Sequence, residues 1–124
     1  PKKLAHALKT LERESKNYYE FNVQLCLDYG GKEEIIRAVN KALNSGKKNI
    51  KEKDFHEFLD TKDIPEPDLI IRTSGEQRTS GIMPFQSSYA ELYFTKIYFP
   101  DFNSQELKKA IEEFQKRQRR FGGS

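Results

Sequence analysis

The sequence predicts an α/β fold, a partial parallel sheet flanked by helices. Three observations carry that reading. Strand-like and helix-like runs alternate along the chain, the habit of α/β proteins. A Gly-Gly turn joins the first strand-like run to a helix, the opening of a βαβ unit. And Leu69-Ile70-Ile71 is a short, continuously apolar run of the kind found in parallel strands covered on both faces.

The elements follow in order. From Lys2 to about Ser15, Leu4, Ala7, Leu8 and Leu11 recur at helical spacing among Lys, Glu and Arg, which predicts an amphipathic helix. Phe21 to Asp28 alternates strictly and predicts the first strand. Tyr29-Gly30-Gly31 supplies a tight turn where backbone can come close to something. A helix follows on the stripe Ile35, Ile36, Val39 and Leu43, and Gly46 stands where it should stop. After a basic connection from Gly46 to Lys53, Phe55, Phe58 and Leu59 anchor a short helix over Asp54–Leu59.

Pro65 and Pro67 then keep the approach to Leu69 extended, because each proline turns its predecessor away from helical geometry. Leu92 to Phe99 is the third strand, closed by Pro100. Asn103-Ser104-Gln105-Glu106 resembles a capping box. Leu107, Ala110, Ile111 and Phe114 form the buried stripe of the last helix, and Glu112/Lys116 and Glu113/Arg117 are i,i+4 pairs on it. Three strands are few for such a sheet, and their edges need cover from further strands or another chain.

Composition sets the outer bounds. The chain has 124 residues, 35% hydrophobic and 33% charged, and none of its apolar runs approaches a membrane span. That size is one domain with one core. The first residues do not lead into a signal-peptide core, and the absence of an initiator methionine reads as a chain processed, trimmed or cut from something longer. A single cysteine, Cys26, excludes an internal disulfide framework and fits a reducing, cytoplasmic compartment. Flanked by Leu25 and Leu27, it reads as a small core residue. His6 and His56 have no second His or Cys at metal-ligand spacing and read as surface residues. A net charge of +3 names no partner. Without a helix-turn-helix, zinc module or RNP-like strands, no specific nucleic-acid partner is expected.

Ligands of an open α/β sheet bind beyond the carboxyl ends of its strands. Three polar clusters are expected there: Tyr29-Gly30-Gly31, Arg72 to Ser80, and the residues around Glu91. Arg72 closes a buried strand, Arg78 follows six residues on, and Ser80 two beyond it, with Gly75 allowing a sharp turn. Two guanidinium forks and a hydroxyl suit a diphosphate, since arginine binds phosphate oxygens in bidentate fashion. The same two arginines also suit simple ion pairs with Glu76 or Asp68, and charge and spacing alone leave both readings open.

The motifs carry more. Asp68 to Arg78 resembles the long signature of the cis-prenyltransferases, the undecaprenyl and polyprenyl diphosphate synthases. Tyr29-Gly30-Gly31, the block Gln86 to Phe94, Pro100-Asp101-Phe102 and the closing Arg120-Phe121-Gly122 resemble the family's other motifs in order. Pro84-Phe85 departs from the Leu-Trp common in bacterial members, and Gly81 to Phe85 leans toward archaeal-type wording.

The resemblance implies the fold's C-terminal half and a head-to-tail condensation of isopentenyl diphosphate onto an allylic diphosphate, making a cis double bond. It implies that Arg72, Arg78 and Ser80 bind the diphosphate of isopentenyl diphosphate, that Glu91 serves Mg²⁺, and that Arg120 and Gly122 reach a diphosphate across a homodimer interface. The family's Asp-Gly-Asn-Gly-Arg loop, which holds the allylic diphosphate and the catalytic aspartate, has no counterpart here. No catalytic residue is therefore expected in this chain, which is expected not to turn over alone. The alternative is a non-catalytic, diphosphate-binding and dimerising subunit of a heteromeric prenyltransferase. Membrane contact is expected only peripherally, through the lipid product.

Overall fold

The computed structural model describes residues 2–117. Four α-helices and two strands follow in the order α1 Lys2–Ser15, α2 Gly31–Asn44, α3 Glu52–Phe55, β1 Leu69–Arg72, β2 Glu91–Phe94 and α4 Ser104–Lys116. Single 3₁₀ turns occupy His56–Phe58 and Phe99–Asp101. This is the α/β arrangement the sequence predicts. β1 and β2 pair in parallel, Leu69 opposite Glu91 and Arg72 opposite Phe94. Beyond β1 the pairing continues irregularly, Ser74 N donating to Ile97 O and Gly75 N to Thr95 O, both at 2.8 Å.

The helices fall where their local signals place them. Asn103 caps α4 by accepting from the amides of Gln105 and Glu106 at 3.0 and 3.2 Å. Only that half of the capping box is seen; the Glu106 carboxylate pairs with Lys109 at 2.6 Å. Arg117 bonds Glu113 at 2.7 Å as expected, whereas Glu112 pairs with Lys108, not Lys116.

The expected strand Phe21–Asp28 does not form a ladder with any described segment. Alternation makes a segment suited to a sheet, but a strand exists only through a paired neighbour. Its apolar positions Phe21, Val23, Leu25 and Leu27 all face solvent, and Cys26 is exposed with them, not in a core. The third strand is shorter than expected, ending at Phe94.

The core is small and built of small residues: Ala38, Ala42, Leu59 and Ala110 are its buried apolar side chains. On α2 the buried positions are Gly31, Glu34, Ala38 and Ala42, spaced three and four apart as one helix face. Of the expected stripe only Ile35 is half-buried; the rest is turned outward, with Ile36 61% and Leu43 72% exposed. Likewise α1 buries none of its residues, although Leu8 and Leu11 border an apolar cleft of about 730 Å³ shared with Phe21, Val23 and Leu27. Of the two histidines, His6 is exposed and His56 is half-buried, 3.3 Å from Glu66 and edge-on to Phe85.

Candidate functional site: a strained loop at the carboxyl edge of β1

Arg72 is the last residue of β1, fixed by its main chain between strand and loop: its carbonyl accepts from Thr95 N at 2.9 Å. Its side chain is half-buried, and Nε is buried without a hydrogen-bond partner. An unsatisfied guanidinium N–H costs on the order of 1–3 kcal/mol. Among the described residues nothing accepts from that Nε.

The loop that follows reverses direction at Ser74 and Gly75, with φ of 70° and 76°, and again at Ser80, Gly81 and Met83, with φ of 51°, 78° and 41°. Glycine takes this backbone freely, but for serine and methionine each instance costs roughly 1–3 kcal/mol and must be imposed by surrounding contacts. Such strain is typical of ligand-binding loops on rigid scaffolds. Arg78 and Ser80 are both exposed on this loop. Arg78 is ion-paired with Glu76, as its spacing also allowed. At such exposure that pair is weak and exchangeable.

Behind the loop lies a polar network centred on Glu34, whose carboxylate is 1% exposed. Asp60 N donates to Oε1 at 2.9 Å, and Gln86 Nε2 donates to both oxygens at 3.1 and 3.2 Å. Tyr29 donates its hydroxyl to Oε2 and accepts from Met83 N at 3.2 Å. Burial, and then the hydrogen bond to Glu34, push the Tyr29 phenol well above its usual range, so it stays protonated at neutral pH. Gly31 completes the junction. A Cβ there would lie 2.2 Å from Gly81 O and from Pro84 Cδ, so only glycine lets α2 approach the loop.

Sequence reasoning missed Glu34, Gln86 and this use of Tyr29. Two adjacent glutamates in the first turn of an amphipathic helix read as solvated, and nothing local distinguishes Glu34 from the exposed Glu33. The one signal was the register Gly31, Glu34, Ala38, Ala42, a face of small residues with a single carboxylate in it.

Glu91 lies elsewhere. The parallel register puts it opposite Leu69, at the amino end of β2, three residues from the end that faces the Arg72 loop. That is roughly 10 Å of strand. The expectation that the Glu91 block shares the carboxyl edge is thus corrected by the register. Glu91 is bound by Arg117, whose Nη1 lies 2.9 Å from Oε2 and also donates to Leu92 O at 2.9 Å. Magnesium asks for carboxylate and phosphate oxygens together. Among the described residues no three of His, Cys, Asp and Glu converge, and the carboxylate in question faces a guanidinium. Arg120 and Gly122 lie outside the described residues.

The family model for putative undecaprenyl diphosphate synthases matches residues 1–122. The chain belongs to that family. An isoprenyl transferase of Fusobacterium nucleatum is 46% identical over 123 residues, which are 99% of this chain and 53% of that protein. A tritrans,polycis-undecaprenyl-diphosphate synthase (geranylgeranyl-diphosphate specific) of Methanocaldococcus jannaschii is 44% identical, over 98% of this chain and 46% of its own length. Bacterial and archaeal members of the family are thus matched about equally, and the archaeal lean of the wording finds no separate support.

Among solved structures, lavandulyl diphosphate synthase from Lavandula x intermedia, in complex with dimethylallyl diphosphate, superposes with a TM-score of 0.91 at 34% identity. It is covered over 55% of its length, against 98% of this chain. A probable undecaprenyl diphosphate synthase from Campylobacter jejuni gives 0.86 at 31% identity, with 57% of that chain covered. The chain spans about half the length of the family relatives it matches. None of the described helices is long and apolar enough to cross a membrane.

Proposed function

We propose that this chain supplies the isopentenyl-diphosphate site of a cis-prenyltransferase. The observation that carries the proposal is Arg72: a guanidinium anchored at the carboxyl end of a parallel strand, its Nε buried and unpartnered beside a strained loop bearing Arg78 and Ser80. The forks of Arg72 and Arg78 and the Ser80 hydroxyl take the diphosphate oxygens, Arg78 exchanging Glu76 for phosphate. With the diphosphate end fixed, the alkene of isopentenyl diphosphate is presented to an allylic diphosphate. A carbon–carbon bond forms at the allylic C1 as its bond to the diphosphate oxygen breaks. Inorganic diphosphate leaves, and loss of a proton from the new cation makes the cis double bond.

The residues that hold the allylic substrate belong, on this proposal, to polypeptide outside the 124 residues, and turnover requires them. Arg120 and Gly122 enter the proposal on their Arg-x-Gly motif alone. Glu91 as a magnesium ligand and a second copy of the chain as partner enter on the resemblance alone.

Calorimetric titration of isopentenyl diphosphate into the chain, beside Arg72→Ala and Arg78→Ala, tests the site. Each substitution is expected to weaken binding about 10- to 100-fold, the effect of losing a charge-assisted bond to phosphate. Equal affinity in all three proteins would refute the assignment. Adding the N-terminal half of a relative then separates an enzyme half from a non-catalytic subunit: restored condensation that Arg72→Ala abolishes identifies the former.

A further inference from the structure

The loop carrying Arg78 and Ser80 is held partly from outside itself. Ser80, Gly81 and Met83 all adopt positive φ. Local bonds run from Ile82 N to Thr79 O at 3.1 Å and from Ser87 N to Met83 O at 2.9 Å, and a side chain distant in sequence reaches the segment where Met83 N donates to the Tyr29 hydroxyl at 3.2 Å. That hydroxyl is in turn oriented by donating to Glu34. Glu34 is itself fixed by the Asp60 amide and by Gln86, so its carboxylate has little freedom to turn. Gly31, one turn earlier on the same helix, sits directly against Gly81 and Pro84. The line of contact runs from a buried carboxylate on α2, through one phenol, to the backbone of the loop.

Resting on the isopentenyl-diphosphate reading of that loop, we infer that Tyr29 and Glu34 are positioning residues for the diphosphate site: Glu34 aims the Tyr29 hydroxyl, and Tyr29 pins Met83 so that Arg78 and Ser80 face the ligand. Neither touches substrate. The phenol serves as donor to Glu34 and acceptor from Met83 simultaneously, which phenylalanine cannot do. The Glu34 oxygens accept from the Asp60 amide, from Gln86 Nε2 and from the Tyr29 hydroxyl, which sets the direction of the network.

The test uses the whole chain with isopentenyl diphosphate as probe. Tyr29→Phe keeps the ring and removes the hydroxyl; Glu34→Gln keeps the shape and removes the charge. Amide exchange at Met83 is read by NMR without ligand, and affinity by titration at a temperature where helix content matches the wild type. Tyr29→Phe is expected to speed Met83 exchange and to weaken binding, each by about 10-fold, one lost hydrogen bond's worth. Glu34→Gln should move both in the same direction, and the double variant should add little, because the two act in series. A purely structural role would lower the melting temperature and leave affinity unchanged. If Glu34→Gln fails to fold, Tyr29→Phe decides alone.

Undiminished affinity in folded Tyr29→Phe, with Arg72→Ala losing binding, overturns the positioning role and spares the site. If wild type and Arg72→Ala bind alike, or neither binds, the site reading itself falls and the positioning role falls with it.

Discussion

Arg117 holds Glu91 across 26 residues of sequence, Nη1 to Oε2 at 2.9 Å, and so ties the residue that caps the end of α4 to the first residue of β2. The same guanidinium also reaches Glu113 at 2.7 Å and Leu92 O. These bonds, with Glu113's first among them, raise the Arg117 pKa further above its already high value, so the cation is permanent. Arg117→Ala should destabilise the chain by about 1 kcal/mol, the scale of a part-buried fork with several partners. Arg117→Lys should recover less than half of it, since an ammonium cannot span three acceptors in a plane. Urea denaturation of the three proteins measures both.

Gly31→Ala tests the junction between α2 and the loop. Its new Cβ would overlap a carbonyl oxygen and a proline ring at 2.2 Å. Neither is the far end of a flexible side chain, so helix and loop must separate. A loss of about 2 kcal/mol or more is expected, the upper range for overpacking. Gly30→Ala is the control: a Cβ there meets its nearest neighbour at 3.7 Å, and the change should be far smaller.

Acid stability should depend on Asp60. Burial alone would raise its carboxyl, but the hydrogen bond and charge of Arg37, and then Lys41, outweigh it and hold the pKa below the ordinary carboxylate range. A carboxyl depressed in the folded state stabilises fully above its unfolded value, about 3.9. That stability is lost as pH falls through the folded value. Stability measured by denaturation from pH 5 down to pH 2 should therefore fall, and Asp60→Asn should flatten that part of the slope while lowering stability at pH 7. An unchanged slope in Asp60→Asn would assign the acid sensitivity to other groups.

The outward-facing run Phe21, Val23, Leu25, Leu27 makes a different prediction. Val23 is 85% exposed, so Val23→Lys removes no core contact. Together with Leu25→Lys it should leave stability within about 0.5 kcal/mol, as for surface substitutions generally. Binding of a hydrophobic dye and any self-association should both decrease, because the apolar surface is interrupted. Dye fluorescence and light scattering read these; a large stability loss would mean that the segment packs after all.

How much of this was legible in advance differs by element. The spans of α1, α2 and α4 were readable because helical period, caps and stops are local properties of a dozen residues. Asn103 announced its helix before any coordinate. Leu69-Ile70-Ile71 was readable as a strand, and Arg72 as the residue at its carboxyl end, because a continuous apolar run ending in a charge has few other meanings in an α/β chain. The expected cover on both faces is not seen, the strand being half-buried throughout.

What sequence alone determined, then, was family, helix positions and the motif Arg72, Arg78, Ser80, all of them properties of neighbouring residues. Tertiary structure decided the rest. Pairing decides whether Phe21–Asp28 is a strand, since alternation supplies a face but not a partner. Register decides which end of the sheet Glu91 occupies, a matter of Leu69 meeting Glu91, 22 positions further along the chain. And burial decides that Glu34, not Glu33, anchors the loop: two identical side chains one position apart differ by 100° around the helix, and only the packing of Gln86 and Asp60 against one of them turns a surface charge into a buried clamp.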